Sequence, residues 1–288
     1  MKVGLELGEF VWDGGPAAMG RTVAEIATVA DDAGYDLIGV GDHVWQGPHA
    51  GGPGMPQLEC FTTLGVIAAH TRRCRLAPVV AGVHFRAPAL LAKTVTTLDV
   101  LSGGRAVLGI GTGWDADEAA GMGIDFPPTA QRFAMLEEAL QICLRLWHGD
   151  ERPFDGEHYR LARPLAEPKS LSRPHPPIML GGGGRKTLRL VARYGDACNV
   201  YPGPDLAEKL DLLRELCDQE GRDYDAIEKT CIFPFTVAED GAGASELTDE
   251  LHRLSAAGID TAIGIVSGSD PVRQVSVIGD KVIPAVTG

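Results

Sequence analysis

The sequence predicts an α/β chain closed as a single (β/α)8 barrel. Three observations carry that prediction. Short apolar runs alternate with helix-period stretches from one end of the 288 residues to the other. The runs are continuously apolar, as strands are when a parallel sheet is covered on both faces. Eight such pairs in a chain of this length match the needs of one barrel, with a doubly wound open sheet as the rival arrangement.

The elements follow in order. KVGLELG (2–8) reads as the first strand. Val23, Ile26, Ala27 and Ala30 recur at helical spacing after it, and Gly34 ends that helix. DLIGV (36–40) is the second strand, and Phe61 to His70 is helical after a Gly/Pro-rich loop. CRLAPVVAGV (74–83) is the third strand, with Pro78 awkward inside it. The next helix opens at Pro88 and closes at Gly103 and Gly104, the usual asymmetry of helix ends. RAVLGIG (105–111) is the fourth strand, and a long helix follows Pro127 and Pro128.

Residues 149–176 break the pattern with prolines, charges and short apolar pieces. They read as an insertion between units four and five, with FDGEHYRL as a small hairpin. PIMLGG (177–182), DACNVY (196–201), KTCIFPFTVA (229–238) and TAIGIV (261–266) are strands five to eight. Helices over 187–194, 206–217, 245–257 and 272–282 complete the units.

Composition narrows the function classes. Apolar residues make up 44% of the chain, enough for a sizeable core. The net charge of −13 argues against a non-specific nucleic-acid binder, which needs a basic face. No apolar run approaches a membrane span, and MKVGLELGEF does not read as an export signal. The expectation is a cytoplasmic protein, and the charge says little about small-molecule chemistry. None of the six cysteines sits in a CxxC pair, so they read as buried thiols.

In a barrel the chemistry sits on loops after the strand C-termini. Strand two is followed by Asp42 and His43, a pair suited to proton transfer because imidazole titrates near neutral pH. A metal site needs more ligands, and His49 and His84 could join one only through the fold. GIGTGW (109–114) follows strand four. Its spacing approaches a dinucleotide fingerprint, but Trp114 stands where the last glycine belongs. Gly111, Thr112 and Gly113 still allow close approach to a flat ligand, with Trp114 as a stacking face. Gly181, Gly182, Gly183 and Gly184 run into a helix N-terminus, followed by Arg185 and Lys186. Free amides and the helix dipole make that run a phosphate site. It is not a Walker loop, and no nucleophile elbow appears.

Two long stretches now carry a resemblance. The run from Pro88 through TGWDADEAAGMGIDFPPTAQRFAMLEEALQI, and RPHPPIMLGGGGRKTLRLVARYGDACNV downstream, resemble the luciferase-like monooxygenase family. GDH after strand two and the closing AAGIDTAIGIV extend the likeness over nearly the whole chain. They look most like the branch that uses coenzyme F420, a 5-deazaflavin. The resemblance implies one domain over 1–288, a barrel with an insertion, and homodimers. It places Asp42 and His43 beside the deazaflavin ring, with His43 passing a proton. It places a non-prolyl cis peptide at Val79–Val80 behind the ring, cofactor contacts at Thr112 and Gly113, and the phosphate at Gly181 to Gly184. The implied chemistry is hydride transfer at the deazaflavin C5 to or from an organic substrate. An FMN-dependent two-component monooxygenase is the alternative. A metal-dependent hydrolase on the same barrel and a non-catalytic carrier are the remaining classes.

The chain departs from the family at several points. Ala77 and Pro78 stand where Gly-Thr is usual. Trp114 stands where some relatives place a second acid/base glutamate, and an indole cannot do that work. Asp115 replaces a frequent Asn and is expected to face solvent, away from a reduced ring.

Overall fold

The computed structural model describes residues 1–268 and 270–287, without the side chain of His49. The chain opens with β1 (Lys2–Leu7), α1 (Pro16–Ala33), β2 (Leu37–Val40) and α2 (Cys60–His70). Next come β3 (Arg75–Pro78), β4 (Ala81–Gly82), α3 (Pro88–Ser102), β5 (Leu108–Gly111), α4 (Ala116–Gly121) and α5 (Thr129–His148). β6 (Phe154–Asp155) and β7 (Arg160–Leu161) pair antiparallel as the small hairpin. The rest is β8 (Ile178–Gly181), α6 (Arg185–Tyr194), β9 (Ala197–Val200), α7 (Leu206–Glu220), β10 (Glu228–Pro234), α8 (Ala244–Ala256), β11 (Thr261–Ile265), α9 (Pro271–Lys281) and α10 (Ile283–Val286).

The parallel sheet runs β3-β2-β1-β11-β10-β9-β8-β5-β4. It closes into the barrel because β3 and β4 are two halves of one barrel strand. β3 pairs with β2, Leu37 facing Arg75, while β4 pairs with β5, Ala81 facing Ile110. Leu76 also bridges Ala106, so the ring has no open edge at its seam. The third strand is therefore not the continuous 74–83 of the sequence reading. It breaks at Val79–Val80, and α4 is a further helix that the sequence reading left out. β10 also stops at Pro234, short of the expected 238.

Alternation along each strand sorts the core into two layers. In β1, Val3, Leu5 and Leu7 face the helix layer, where they pack with Ile26, Leu64 and Ile278. Gly4 and Glu6 have the opposite parity and face inward. The barrel interior is filled by Leu37, Ala77, Val79, Val107, Met179, Ala197, Ile232 and Ile263. Each buried Val, Leu, Ile or Met among them contributes about 1.5–3 kcal/mol. The filling stops near the strand C-termini and leaves a mouth there. All six cysteines are free and buried. No helix among the described residues is long and apolar enough to cross a membrane.

Candidate active site

The floor of the mouth is the break in the third strand. The Val79–Val80 peptide is cis, where the family resemblance places it. Val80 fills the space above two strand ends. A Cβ on Gly111 would come within 3.1 Å of Val80 Cγ2, and one on Gly181 within 2.7 Å. Gly181 must stay bare for this packing, and a side chain at Gly111 would fit only if Val80 gave way. Gly113 has φ 75°, and a Cβ there would lie 2.3 Å from Cε1 of His84. The GIGTG segment is thus a strand end pressed against its neighbours, with Thr112 half-buried beside it.

His43 is held by a partner that sequence reasoning missed. Its Nδ1 lies 2.8 Å from Oε2 of Glu118, which is 1% exposed. A carboxylate only accepts, so this bond places the proton on Nδ1 and leaves Nε2 as the free nitrogen. Oε1 of Glu118 accepts the amides of Val44 (2.6 Å) and Trp45 (3.2 Å). Burial opposes a charged imidazolium, but the Glu118 bond and the charges of Glu118, Asp42 and Glu6 outweigh it, raising the His43 pKa. Burial alone would raise Glu118; the His43 bond and the two amides hold it below the ordinary carboxylate range.

Glu118 owes its position to α4. Asp115 caps that helix, its Oδ1 accepting the amides of Asp117 (3.1 Å) and Glu118 (3.0 Å). This corrects the expectation that Asp115 faces solvent: the cap residue needs a side-chain acceptor there. Trp114 is 58% exposed and meets His43 edge-on, ring centroids 5.6 Å apart.

Asp42 does different work from His43. Its two oxygens take Arg86 bidentately at 2.7 and 2.9 Å, and Oδ2 also accepts the Gly82 amide at 3.1 Å. Arg86 continues to Glu59 at 2.7 Å. The pair ties the end of β2 to β4 and so fixes the floor. Glu6 is the other buried acid of the mouth. It is 8% exposed, and no hydrogen bond reaches its carboxyl among the described residues. Burial pushes its pKa up to about 7, against the pull of His43 and with help from Glu9.

The glycine run sits at the N-terminus of α6. Gly184 is the cap position, no side chain caps the helix, and the space above Gly184 is open. The Gly182 amide is taken by the Asn199 carbonyl at 2.9 Å, so the amides open to a ligand begin at Gly183, and with the open space at Gly184 they fit a phosphate. The Arg185 guanidinium turns aside to Glu215 at 3.2 Å, and Lys186 lies 5.6 Å from the Phe133 ring centroid. No group of three or more His, Cys, Asp or Glu side chains among the described residues is placed to hold a metal.

The family model for luciferase-like monooxygenases matches residues 1–272. The chain belongs to the luciferase-like monooxygenase family. It is 34% identical to an F420-dependent glucose-6-phosphate dehydrogenase of Kineococcus radiotolerans, over 78% of this chain and 67% of that one. It is 32% identical to the protein of the same name from Mycolicibacterium smegmatis, over 89% and 79%. Among solved structures, an F420-dependent secondary alcohol dehydrogenase bound to an F420-acetone adduct superposes with a TM-score of 0.82. That match has 19% identity and covers 99% and 98% of the two chains. The F420-dependent tetrahydromethanopterin reductase of Methanopyrus kandleri gives 0.79, at 17% identity over 99% of both chains.

The luciferase-like fold thus brings His43, the Val79–Val80 floor and the Gly111–Trp114 segment to one mouth. Sequence reasoning missed Glu6, Glu118 and Arg86. Glu6 had a legible signal, a lone acid at an inward position of an apolar strand. Glu118 had none, since it lies among other acids and alanines in DADEAAG.

Proposed function

We propose that this chain is an F420-dependent oxidoreductase that exchanges a hydride with a small organic substrate, His43 moving the accompanying proton. The arrangement that carries the reading is the His43–Glu118 pair at the barrel mouth, beside an uncapped glycine run at α6. The similarity to relatives named as F420-dependent dehydrogenases supports it. The deazaflavin, when bound, supplies a two-electron carrier that takes or gives hydride at C5. The Gly181–Gly184 run and the first amides of α6 would hold its phosphate. Val79, Val80, Gly111, Thr112 and Gly113 would shape the wall for its ring, with Asp42 holding that wall through Arg86.

Glu118 keeps the imidazole oriented, with Nε2 toward the mouth to take or give a proton. Glu6, with a pKa near 7, is a second group able to hold a proton at neutral pH. It stands in for the acid that Trp114 cannot supply. A fluorescence titration of the apoprotein with F420 and with FMN tests the reading. Micromolar or tighter binding of F420, with FMN at least about tenfold weaker, is expected. Preference for FMN would turn the chain into the oxygenating half of a two-component flavin system, and binding of neither would overturn the cofactor assignment.

A further inference from the structure

At the N-terminal end of the barrel, opposite the mouth, a cavity of about 280 Å³ opens where β3, β5 and β8 begin. Arg75, Arg105, Arg173 and His175 line it, and no Asp or Glu does. Arg75 carries two acids, Asp36 and Glu228, which cancel its charge. Arg105 and Arg173 bond only neutral oxygens among the described residues. This local excess of positive charge stands in a chain of net charge −13.

The two guanidiniums differ in what they have left to give. Arg105 spends all five N–H groups. Its Nε donates to the Ser102 carbonyl (2.8 Å), its Nη1 to the Thr71 hydroxyl and the Cys74 carbonyl, and its Nη2 to the carbonyls of Ala68 and Thr71. It fixes the wall and lends the cavity a charge. Arg173 is held through Nη1, which donates to the carbonyls of Ser170 and Ser172. Its Nε and Nη2 meet no acceptor among the described residues. That edge is a fork able to grip two oxygens of an oxyanion side by side. The side wall is fixed as well. The His175 ring stacks on Trp147, centroids 5.8 Å apart at 16°, and its Nδ1 donates to the Pro176 carbonyl at 2.9 Å. The acids behind the wall are engaged. Asp196, 4.0 Å from His175, accepts the Ile178 amide at 2.9 Å and lies 3.7 Å from Arg222. Asp99 accepts the amides of Leu171 (2.6 Å) and Ser172 (3.0 Å).

We propose that this cavity is an anion site whose ligand is a phosphate dianion, free or as the ester of a small alcohol. Arg173 takes two of its oxygens on the Nε–Nη2 edge, and Arg105 adds charge that no acid cancels. A monocarboxylate can use the same fork but brings half the charge, so it binds more weakly. The cavity falls just under the range of about 300–1,000 Å³ that holds drug-sized ligands, which keeps the occupant small. Arg105 follows α3 and Arg173 belongs to the 149–176 insertion. A bound phosphate therefore ties the insertion to the start of β5 and stabilises the fold by mass action. The site is separate from the mouth and does not depend on which cofactor binds there.

Phosphorus NMR titrations at low ionic strength and about pH 8, where phosphate is a dianion, test the site. The α6 glycine run fits a phosphate as well, so the titrations use Gly184→Asp. That change sets a carboxylate at the cap position of α6, where the space is open. On this background inorganic phosphate and glycerol 3-phosphate should bind saturably, with a Kd of about 1 mM or below for the better of the two. The tighter of the two names the occupant as free ion or ester. Saturating phosphate should also raise the thermal midpoint. Adding Arg173→Ala should weaken binding at least about tenfold and remove the thermal shift. Arg173 is exposed, so this variant keeps the fold. Arg173→Lys keeps the charge without the fork and should fall between. Equal binding with and without Arg173→Ala overturns the proposal, as does a Kd above about 10 mM for both phosphates. Acetate bound as tightly as phosphate overturns the assignment of a dianion.

Discussion

The two ends of the barrel differ in how completely they pair their acids. At the N-terminal end, Arg75 opens β3 and is clasped by Asp36 and Glu228. Its Nη1 lies 2.7 Å from Glu228, its Nε 2.9 Å from Asp36, and its Nη2 bonds both. Thr261 donates to Glu228 at 2.6 Å, and Lys2 lies 3.5 and 3.6 Å from the two acids. Burial would raise the Glu228 carboxyl, but Arg75 holds it down at about 2. At the C-terminal mouth, Glu6 has no such partner among the described residues and is pushed up to about 7, and both ring nitrogens of His84 are buried without one there. The mouth also holds paired charges, Asp42 with Arg86 and His43 with Glu118, but it keeps the perturbed group Glu6 as well, and perturbed groups of this kind are the ones available for chemistry.

That division predicts a crossed pair of outcomes, and it carries the largest effects. His43→Ala should lower kcat by about 10²–10⁴-fold. The same variant leaves the buried Glu118 carboxylate with only the Val44 and Trp45 amides and should cost about 1–2 kcal/mol of stability. Arg75→Ala leaves Asp36 and Glu228 only the exposed Lys2, 3.5 and 3.6 Å away, and should cost about 3 kcal/mol of stability. Its folded fraction should bind F420 as the parent does. Urea unfolding followed by circular dichroism and cofactor titration read both variants. An Arg75→Ala protein as stable as the parent would break the comparison.

Glu6→Gln probes the mouth from the stability side. The Glu6 carboxyl is raised from its ordinary 4.5 to about 7, chiefly by burial. Raised above its unfolded value, it favours folding when protonated. Its contribution is complete below about pH 4.5 and is lost as pH rises through 7. At about 1.36 kcal/mol per unit, the full loss is about 3 kcal/mol above pH 8. Glu6→Gln should therefore be more stable than the parent at pH 8 and close to it near pH 5. Denaturant midpoints at the two pH values decide the matter, and a parent with no alkaline deficit removes Glu6 as a buried acid.

The barrel was legible because its signals are local. Apolar runs such as LIGV and IMLG, with glycine at Gly34, Gly103 and Gly149 closing helices in the left-handed region, mark units without long-range knowledge. The break after Pro78 was not local. It depends on which neighbour each half of the strand pairs with, and only the family resemblance pointed to Val79–Val80. α4 escaped because six residues give no helical period to read, and its buried side chains are Glu118 and Ala119. Asp42 and His43 were found together but separated in role. Their neighbours in space, Arg86 and Glu118, lie 44 and 75 residues away from them in the chain.

The finest probe of the mouth is Glu118→Gln, which keeps the shape and an acceptor for Nδ1 but removes the charge. The Glu118 bond and charge are the main forces raising the His43 pKa against its burial. Without them burial prevails, and the imidazole pKa should fall. In the oxidative direction His43 must be neutral to take a proton. The acid limb of the kcat/KM profile should therefore move to lower pH by the same amount, and the imidazole NMR titration should track it. A merely structural Glu118 would lower stability and leave that limb in place. A limb that moves without loss of F420 affinity assigns Glu118 to the tuning of His43, and with it the contrast between the held charges of the barrel floor and the poised ones of its mouth.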